Sequence, residues 1–96
     1  MKLVVANPVA ESTVRSVPPA PRAGDLDGKT VGLYWNIKAG GDKALDRTER
    51  VLRARYPSAR FVRLLGSIGS TVRHLTPRDA DRVASTCQVT VGTTGD

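Results

Sequence analysis

The sequence has few of the residues that stabilise small proteins by covalent or metal bonds. It has 96 residues with one cysteine, Cys87, so no disulfide can form within the chain. One cysteine and one histidine, His74, do not make a structural zinc site, and we predict no metal or other cofactor. His74 has no partner at triad spacing, and we interpret it as a surface residue. Stability must therefore come from burial of apolar surface, within the chain or against a partner.

The sequence also lacks long apolar runs and is poor in aromatic residues. No run approaches the roughly 20 apolar residues of a membrane helix, and residues 3–6 are too short for the apolar region of a signal peptide. We therefore expect a soluble cytoplasmic chain without a membrane partner. Its net charge is +6, but its arginines are scattered and only 4% of its residues are aromatic. Nucleic-acid binding is thus the weaker alternative, because no stacking platform is present.

Residues 1–28 are predicted to form an extended arm. Residues 17–28, VPPAPRAGDLDG, are rich in proline, which fixes the backbone and removes a hydrogen-bond donor. Residues 29–96 remain to build a core, and a core of that size is marginal without a disulfide, a metal or a partner. We expect residues 29–96 to be a half-domain completed by a partner chain.

Three strands are predicted, at residues 29–37 (KTVGLYWNI), 60–66 (RFVRLLG) and 87–92 (CQVTVG). They are rich in β-branched and apolar residues. In the first strand, few residues on either face are polar, which is typical of a strand covered on both faces.

The first predicted helix covers residues 43–55, with Asp42 as its N-cap. Leu45, Leu52 and Tyr56 fall on one side at three-to-four spacing, and charged residues occupy the rest. Tyr56 precedes a proline and ends the helix, because that position avoids helical geometry.

The second predicted helix begins at Thr76, which serves as its N-cap. Pro77 fits the first helical position, and Asp79 gives the spacing of a capping box. Its predicted buried side consists of Ala80, Val83 and Ala84.

The element order is strand, helix, strand, helix, strand, and helical crossovers imply parallel strands with right-handed connections. The predicted fold class is α/β: the three-stranded parallel half of a doubly wound sheet, Rossmann-like or flavodoxin-like, with an extended arm. We favour strand order 2-1-3, while 3-2-1 remains open. In order 2-1-3, the loop at residues 36–42 and the tail at 93–96 face one crevice.

Two stretches carry a family resemblance: LDGKTVGLYWNIKAGGDKAL at 26–45 and VTVGTTGD at 89–96. Together they resemble the UGSC-motif family, which has cysteine and selenocysteine members. Its pattern is a proline-containing arm, an L-D-G-K-x-[IV]-G-L strand, an Asn-x-Lys loop, and a strand ending in V-x-G-x-G-D. A motif of Cys or Sec, Gly, Ser and Cys follows at once. The matching residues are Leu26, Asp27, Gly28, Lys29, Gly32, Leu33, Asn36, Lys38, Val91, Gly92, Gly95 and Asp96.

The sequence departs from this pattern because the cysteine motif does not follow Asp96. Cys87 is no substitute, since it precedes the third strand at the end opposite the tail, and we expect it to pack as a small apolar residue. Either the sequence is a cut fragment or the family protein is split into two polypeptides, and we expect the split.

The resemblance implies a small subunit of a heteromeric UGSC-type enzyme, inactive alone, that forms one wall of an active site. A partner subunit would supply the reactive cysteine for thiol redox or cysteine-dependent lyase or hydratase chemistry on a small molecule. The alternative is a non-catalytic regulatory or scaffolding subunit of the same complex.

The resemblance and the predicted crevice together suggest site residues. Lys38 and Asp96 are the predicted catalytic residues. The ammonium group could hold an anionic group or lower the pKa of a thiol, and the carboxylate could raise the pKa of that thiol or act as a base. The predicted substrate-binding residues are Asn36, Gly40, Thr93, Thr94 and Gly95. As alternatives, Lys38 is an ordinary loop lysine, Asn36 only fixes the loop, and residues 93–96 are a frayed tail.

Overall fold

A parallel sheet of three strands forms the centre of the protein in a computed structural model, which describes residues 2–10, 15–67 and 75–95. The elements are β1 (Thr30–Trp35), α1 (Gly41–Arg55), β2 (Arg60–Leu65), α2 (Pro77–Thr86) and β3 (Val89–Thr93). The strand order is β2-β1-β3, which confirms the predicted α/β class and order 2-1-3 and excludes 3-2-1.

The register of the sheet brings the carboxyl ends of β1 and β3 together. Trp35, the last residue of β1, is level with Leu65 of β2 and Thr93 of β3. The backbone N–H of Asn36 then donates to the carbonyl of Thr93 at 3.1 Å, one residue beyond β1. The loop after β1 and the tail after β3 therefore leave the sheet side by side.

The core lies between α1 and one face of the sheet. Val31 and Leu33 of β1 and Leu45 of α1 are completely buried. Five partly buried residues pack around them: Leu26, Trp35, Phe61, Val89 and Val91. This face is closed because apolar side chains alternate along β1 and β3 and meet the apolar stripe of α1.

Helix α1 begins earlier than predicted, and the prediction of Asp42 as its N-cap is wrong. The helix starts at Gly41, and its N-cap is Gly40, whose φ of 87° lies in the left-handed region that glycine tolerates best. Asp42 lies in the first turn, where its charge still complements the helix dipole. The two consecutive glycines allow the chain to turn directly from the loop into the helix.

The predicted capping box at the start of α2 is confirmed. The side chain of Thr76 accepts a hydrogen bond from the backbone N–H of Asp79. Asp79 as a residue is only 3% exposed. Oδ2 of Asp79 in turn accepts bonds from both the N–H and the hydroxyl of Thr76, and from the N–H (3.1 Å) and hydroxyl (2.9 Å) of Ser67. The carboxylate therefore joins the end of β2 to the start of α2.

The predicted buried side of α2 is wrong in this chain. Ala80 and Ala84 are exposed and Val83 is half-buried, because this side of the helix borders an open groove. Contact with the sheet is made further along, by Cys87, which is 7% exposed and donates its thiol to the carbonyl of Val83 at 3.2 Å. Cys87 thus packs before β3, as predicted.

The arm has no helix or strand in its described parts, 2–10 and 15–29. Its apolar residues are exposed, with Leu3 at 82% and Val4 at 92%, and the molecule measures 74 × 31 × 23 Å. The helices within the described ranges are too short or too polar to cross a membrane.

The close packing of β1 against α2 makes Gly32 sensitive to substitution. A Cβ at Gly32 would lie 2.7 Å from Sγ of Cys87 and 2.9 Å from Cδ1 of Leu64. We expect Gly32→Ala to reduce the free energy of unfolding by about 1–3 kcal/mol, as overpacking does. Gly92→Ala on the same face of β3 is the control, since its Cβ would meet no atom within 4 Å. Urea unfolding of the purified chain measures both; equal losses would contradict this packing.

Asp79 should make stability sensitive to acid. Hydrogen bonds from the backbone of Ser67 and Thr76 hold the pKa of its carboxyl far below its ordinary value of 3.8. Its contribution is therefore complete above pH 3.8 and is lost as pH falls through the lower folded-state pKa. We expect Asp79→Asn to lower the melting temperature at pH 7 and to flatten its fall between pH 4 and pH 2. The exposed Asp81→Asn is the control, and an acid profile unchanged by Asp79→Asn would exclude this role.

Candidate functional site

At the carboxyl edge of the sheet, the side chain of Asn36 holds the tail. Its Nδ2 donates to the carbonyl of Thr94 at 2.8 Å, and its Oδ1 accepts from the N–H of Thr94 at 3.1 Å. The same Oδ1 accepts from the N–H of Lys38 at 3.3 Å. One amide thus fixes both the β1–α1 loop and the tail, in which the Thr93–Thr94 peptide bond is cis.

A second group of bonds attaches the start of α1 to the same edge. The hydroxyl of Thr93 donates to the carbonyl of Gly41 at 3.0 Å, and the indole N–H of Trp35 donates to the carbonyl of Lys38 at 2.8 Å. The contact is close, because a Cβ at Gly41 would lie 2.7 Å from Oγ1 of Thr94 and 2.8 Å from the indole of Trp35. The loop, the helix start and the tail therefore form one unit.

The loop also contains an unusual backbone conformation. Ile37 has a φ of 72°, in the left-handed region where a β-branched residue is strained. Hydrogen bonds at both neighbours hold this conformation: Asn36 bonds to the tail, and Lys38 bonds to the side chains of Asn36 and Trp35. As a result, Asn36 and Lys38, the neighbours of Ile37, take fixed positions at the edge.

The structure brings most of the predicted site residues together. The tail residues Thr93 and Thr94 meet the loop that carries Asn36, Lys38 and Gly40, as predicted for strand order 2-1-3. Gly95 follows and is exposed. The catalytic and binding roles assigned to these residues stay predictions. Asp96 and His74 lie outside the described residues.

Sequence reasoning missed three residues of this unit: Trp35, Ile37 and Gly41. The consecutive glycines of KAGGD were a signal for a close approach of two segments. The position of the indole N–H had no sequence signal, since it depends on where the loop carbonyl falls. Neither did the conformation of Ile37, because isoleucine disfavours it.

Among the described residues, the edge forms a polar wall. Gly40, Thr94 and Gly95 are exposed, while Asn36 and Lys38 are half-buried. Within the described ranges, no three His, Cys, Asp or Glu side chains are grouped as metal ligands. The wall offers backbone polar groups and the positive end of α1, which together suit a negatively charged atom placed against it.

The Asn36 amide should control the order of the tail. In Asn36→Asp, a carboxylate oxygen would replace the donor that now faces the carbonyl of Thr94 at 2.8 Å. We expect the free energy of unfolding to fall by about 0.5–1.5 kcal/mol, since the hydrogen bond is lost and a carboxylate oxygen then faces the carbonyl. Amide hydrogen exchange at Thr94 and Gly95 should become faster.

Asn7→Asp in the arm is the matched control, because there the side chain only accepts, from the N–H of Val9 at 3.3 Å. Unchanged exchange at Thr94 in Asn36→Asp would show that the tail is held by other contacts.

Comparison with known proteins agrees with the geometry. The profile of the UGSC family matches residues 4–96, almost the whole sequence. No match was found among curated proteins or among solved structures. Since the match extends through β1, the Asn36 loop and the tail after β3, the chain belongs to the UGSC family.

Proposed function

We propose that this chain is the small subunit of a split UGSC-type enzyme and forms one wall of an active site whose reactive cysteine comes from a partner subunit. The observation that carries the proposal is the two-point bond between Asn36 and Thr94. It fixes a polar wall at the carboxyl edge of a parallel sheet, between β1 and β3. In doubly wound sheets this position, where the strand order reverses, is where ligands bind.

The chain's own cysteine is not suited to this role. Cys87 is 7% exposed, and its thiol donates to a backbone carbonyl. It precedes β3, so the length of the strand separates it from Thr94 by roughly 20 Å. A reactive cysteine at the wall therefore comes from outside the 96 residues, and the Cys-Gly-Ser-Cys motif of the resembled family is the candidate.

The wall has the groups that would activate such a cysteine. A thiolate is the reactive form, and nearby positive charge lowers the pKa of a thiol. Lys38 supplies an ammonium group, and the start of α1 at Gly41 adds the positive end of the helix dipole. Asp96 is proposed to balance this charge or to act as a base. The exposed Gly40, Thr94 and Gly95 are the positions proposed to contact a small substrate.

Thiol redox chemistry and a cysteine-dependent lyase or hydratase step both start from a thiolate, so the wall has the same role in either. One observation favours the alternative of a non-catalytic scaffolding subunit. Both polar atoms of the Asn36 side chain and the hydroxyl of Thr93 are bonded within the chain, as in a purely structural edge.

The test of the proposal is the reactivity of the partner's cysteine. We expect Lys38→Ala in the co-expressed complex to raise the apparent pKa for iodoacetamide alkylation of that cysteine. Turnover, once a substrate is known, should fall roughly 10²-fold, as when one electrostatic partner of a reacting group is removed.

Lys43→Ala, an exposed lysine two residues into α1, is the matched control and should change neither value. Size-exclusion chromatography checks that both variants still assemble. An alkylation profile unaffected by Lys38→Ala in an intact complex would favour the scaffolding subunit.

A further inference from the structure

The face of the sheet opposite the core carries an open apolar groove beside α2, with a volume of ≈ 650 Å³. Its role is inferred from six of the residues that line it: Tyr34, Ala80, Val83, Ala84, Thr90 and Gly92. We propose that this groove is the seat of an amphipathic helix of the cysteine-bearing subunit, an inference that rests on the proposed function.

The composition of α2 indicates that the groove is covered. Ala80, Val83 and Ala84 follow helical spacing, and such a stripe faces the interior in stable domains. Here the residues on both sides of α2 are exposed: those on the charged side, and Ala80 and Ala84 on the other. Small residues at Ala80, Ala84 and Gly92 on both walls leave room for a helix backbone to approach closely, and their exposure is best explained by an occupant of that size.

Tyr34 lines the groove and brings a polar side-chain atom to it. Its hydroxyl is buried and is the one buried side-chain polar atom without a hydrogen-bond partner among the described residues. Burial raises the pKa of Tyr34, with a smaller effect of Asp79 in the same direction, so the hydroxyl keeps its proton. A buried donor without an acceptor is costly, and native structures usually supply one. An acceptor on the occupant reaches this hydroxyl when the Tyr34 side chain turns toward the groove, because the hydroxyl is closed off from solvent in the chain alone.

The sheet determines which kind of element lies there. Strand β3 pairs with β1 on one side, and its outer side has no strand partner in the described ranges. A further parallel strand from the partner would pair at this edge. In a doubly wound sheet, the helices on this side of the switch point lie on the face that carries α2, because crossovers are right-handed. The helix next to α2 would therefore lie over Thr90 and Gly92.

Charge disfavours a second copy of the chain as the occupant. Each copy carries a net charge of +6, so two copies repel each other. The arm is the other apolar candidate: its Ala20 borders the groove, and its Leu3, Val4 and Val5 are exposed. Pro8 prevents it from forming a regular helix through that region.

The experiment compares two exposed alanines near the carboxyl ends of the two helices. In the complex co-expressed with the Cys-Gly-Ser-Cys subunit, Ala84→Glu places a charge in the groove, and Ala54→Glu places one on the outer surface of α1. We expect Ala84→Glu to weaken association at least about tenfold, because an unpaired charge is costly to bury. Ala54→Glu should have no effect.

A photo-crosslinker, p-benzoylphenylalanine, in place of Ala84 identifies the occupant by mass spectrometry. A cross-link to a helical peptide of the cysteine-bearing subunit supports the inference. A cross-link to residues 2–10 or to a second copy, or the absence of any peptide of the cysteine-bearing subunit, overturns it while the complex remains intact. If the two chains form no complex at all, the proposed function fails as well, and the two failures are thus distinguished.

Discussion

The pairing of β1 on both sides is the constraint on which the rest of the structure depends. β1 lies between β2 and β3, and its Val31 and Leu33 are completely buried. A strand in that position needs cover on both faces, since both rows of its side chains are removed from solvent in a doubly wound sheet. Helix α1 covers one face of the sheet around Leu45. Helix α2 covers the other face only in part, and the groove beside α2 is the part left uncovered.

The same pairing creates the polar edge at the carboxyl ends of the strands. Because β1 and β3 are parallel neighbours in register, the residues after them leave the sheet at the same level. Asn36 can then reach both backbone polar groups of Thr94, and Thr93 can reach the start of α1. The wall is thus a direct consequence of strand order, and order 3-2-1 would have separated the two segments by β2.

One carboxylate and one amide hold together the segments that connect the strands of this small sheet. Asp79 joins the end of β2 to the start of α2, and Asn36 joins the loop after β1 to the tail after β3. Each bonds to backbone groups that lie beyond the ends of the strands and outside the regular ladder. Both polar side chains therefore replace the regular hydrogen bonds that stop at the carboxyl edge of the sheet.

The sequence by itself determined the element types, the parallel α/β class and the capping box at Thr76, because each follows from local patterns of apolar spacing, proline and capping residues. It also indicated that Asn36, Lys38 and the tail meet, since strand order 2-1-3 implies it. Tertiary structure alone decided the start of α1 at Gly41, the strained Ile37 and the indole bond of Trp35. It also left Ala80 and Ala84 exposed, against their helical pattern. These features depend on which atoms from distant segments come within contact distance, and no local pattern contains that information.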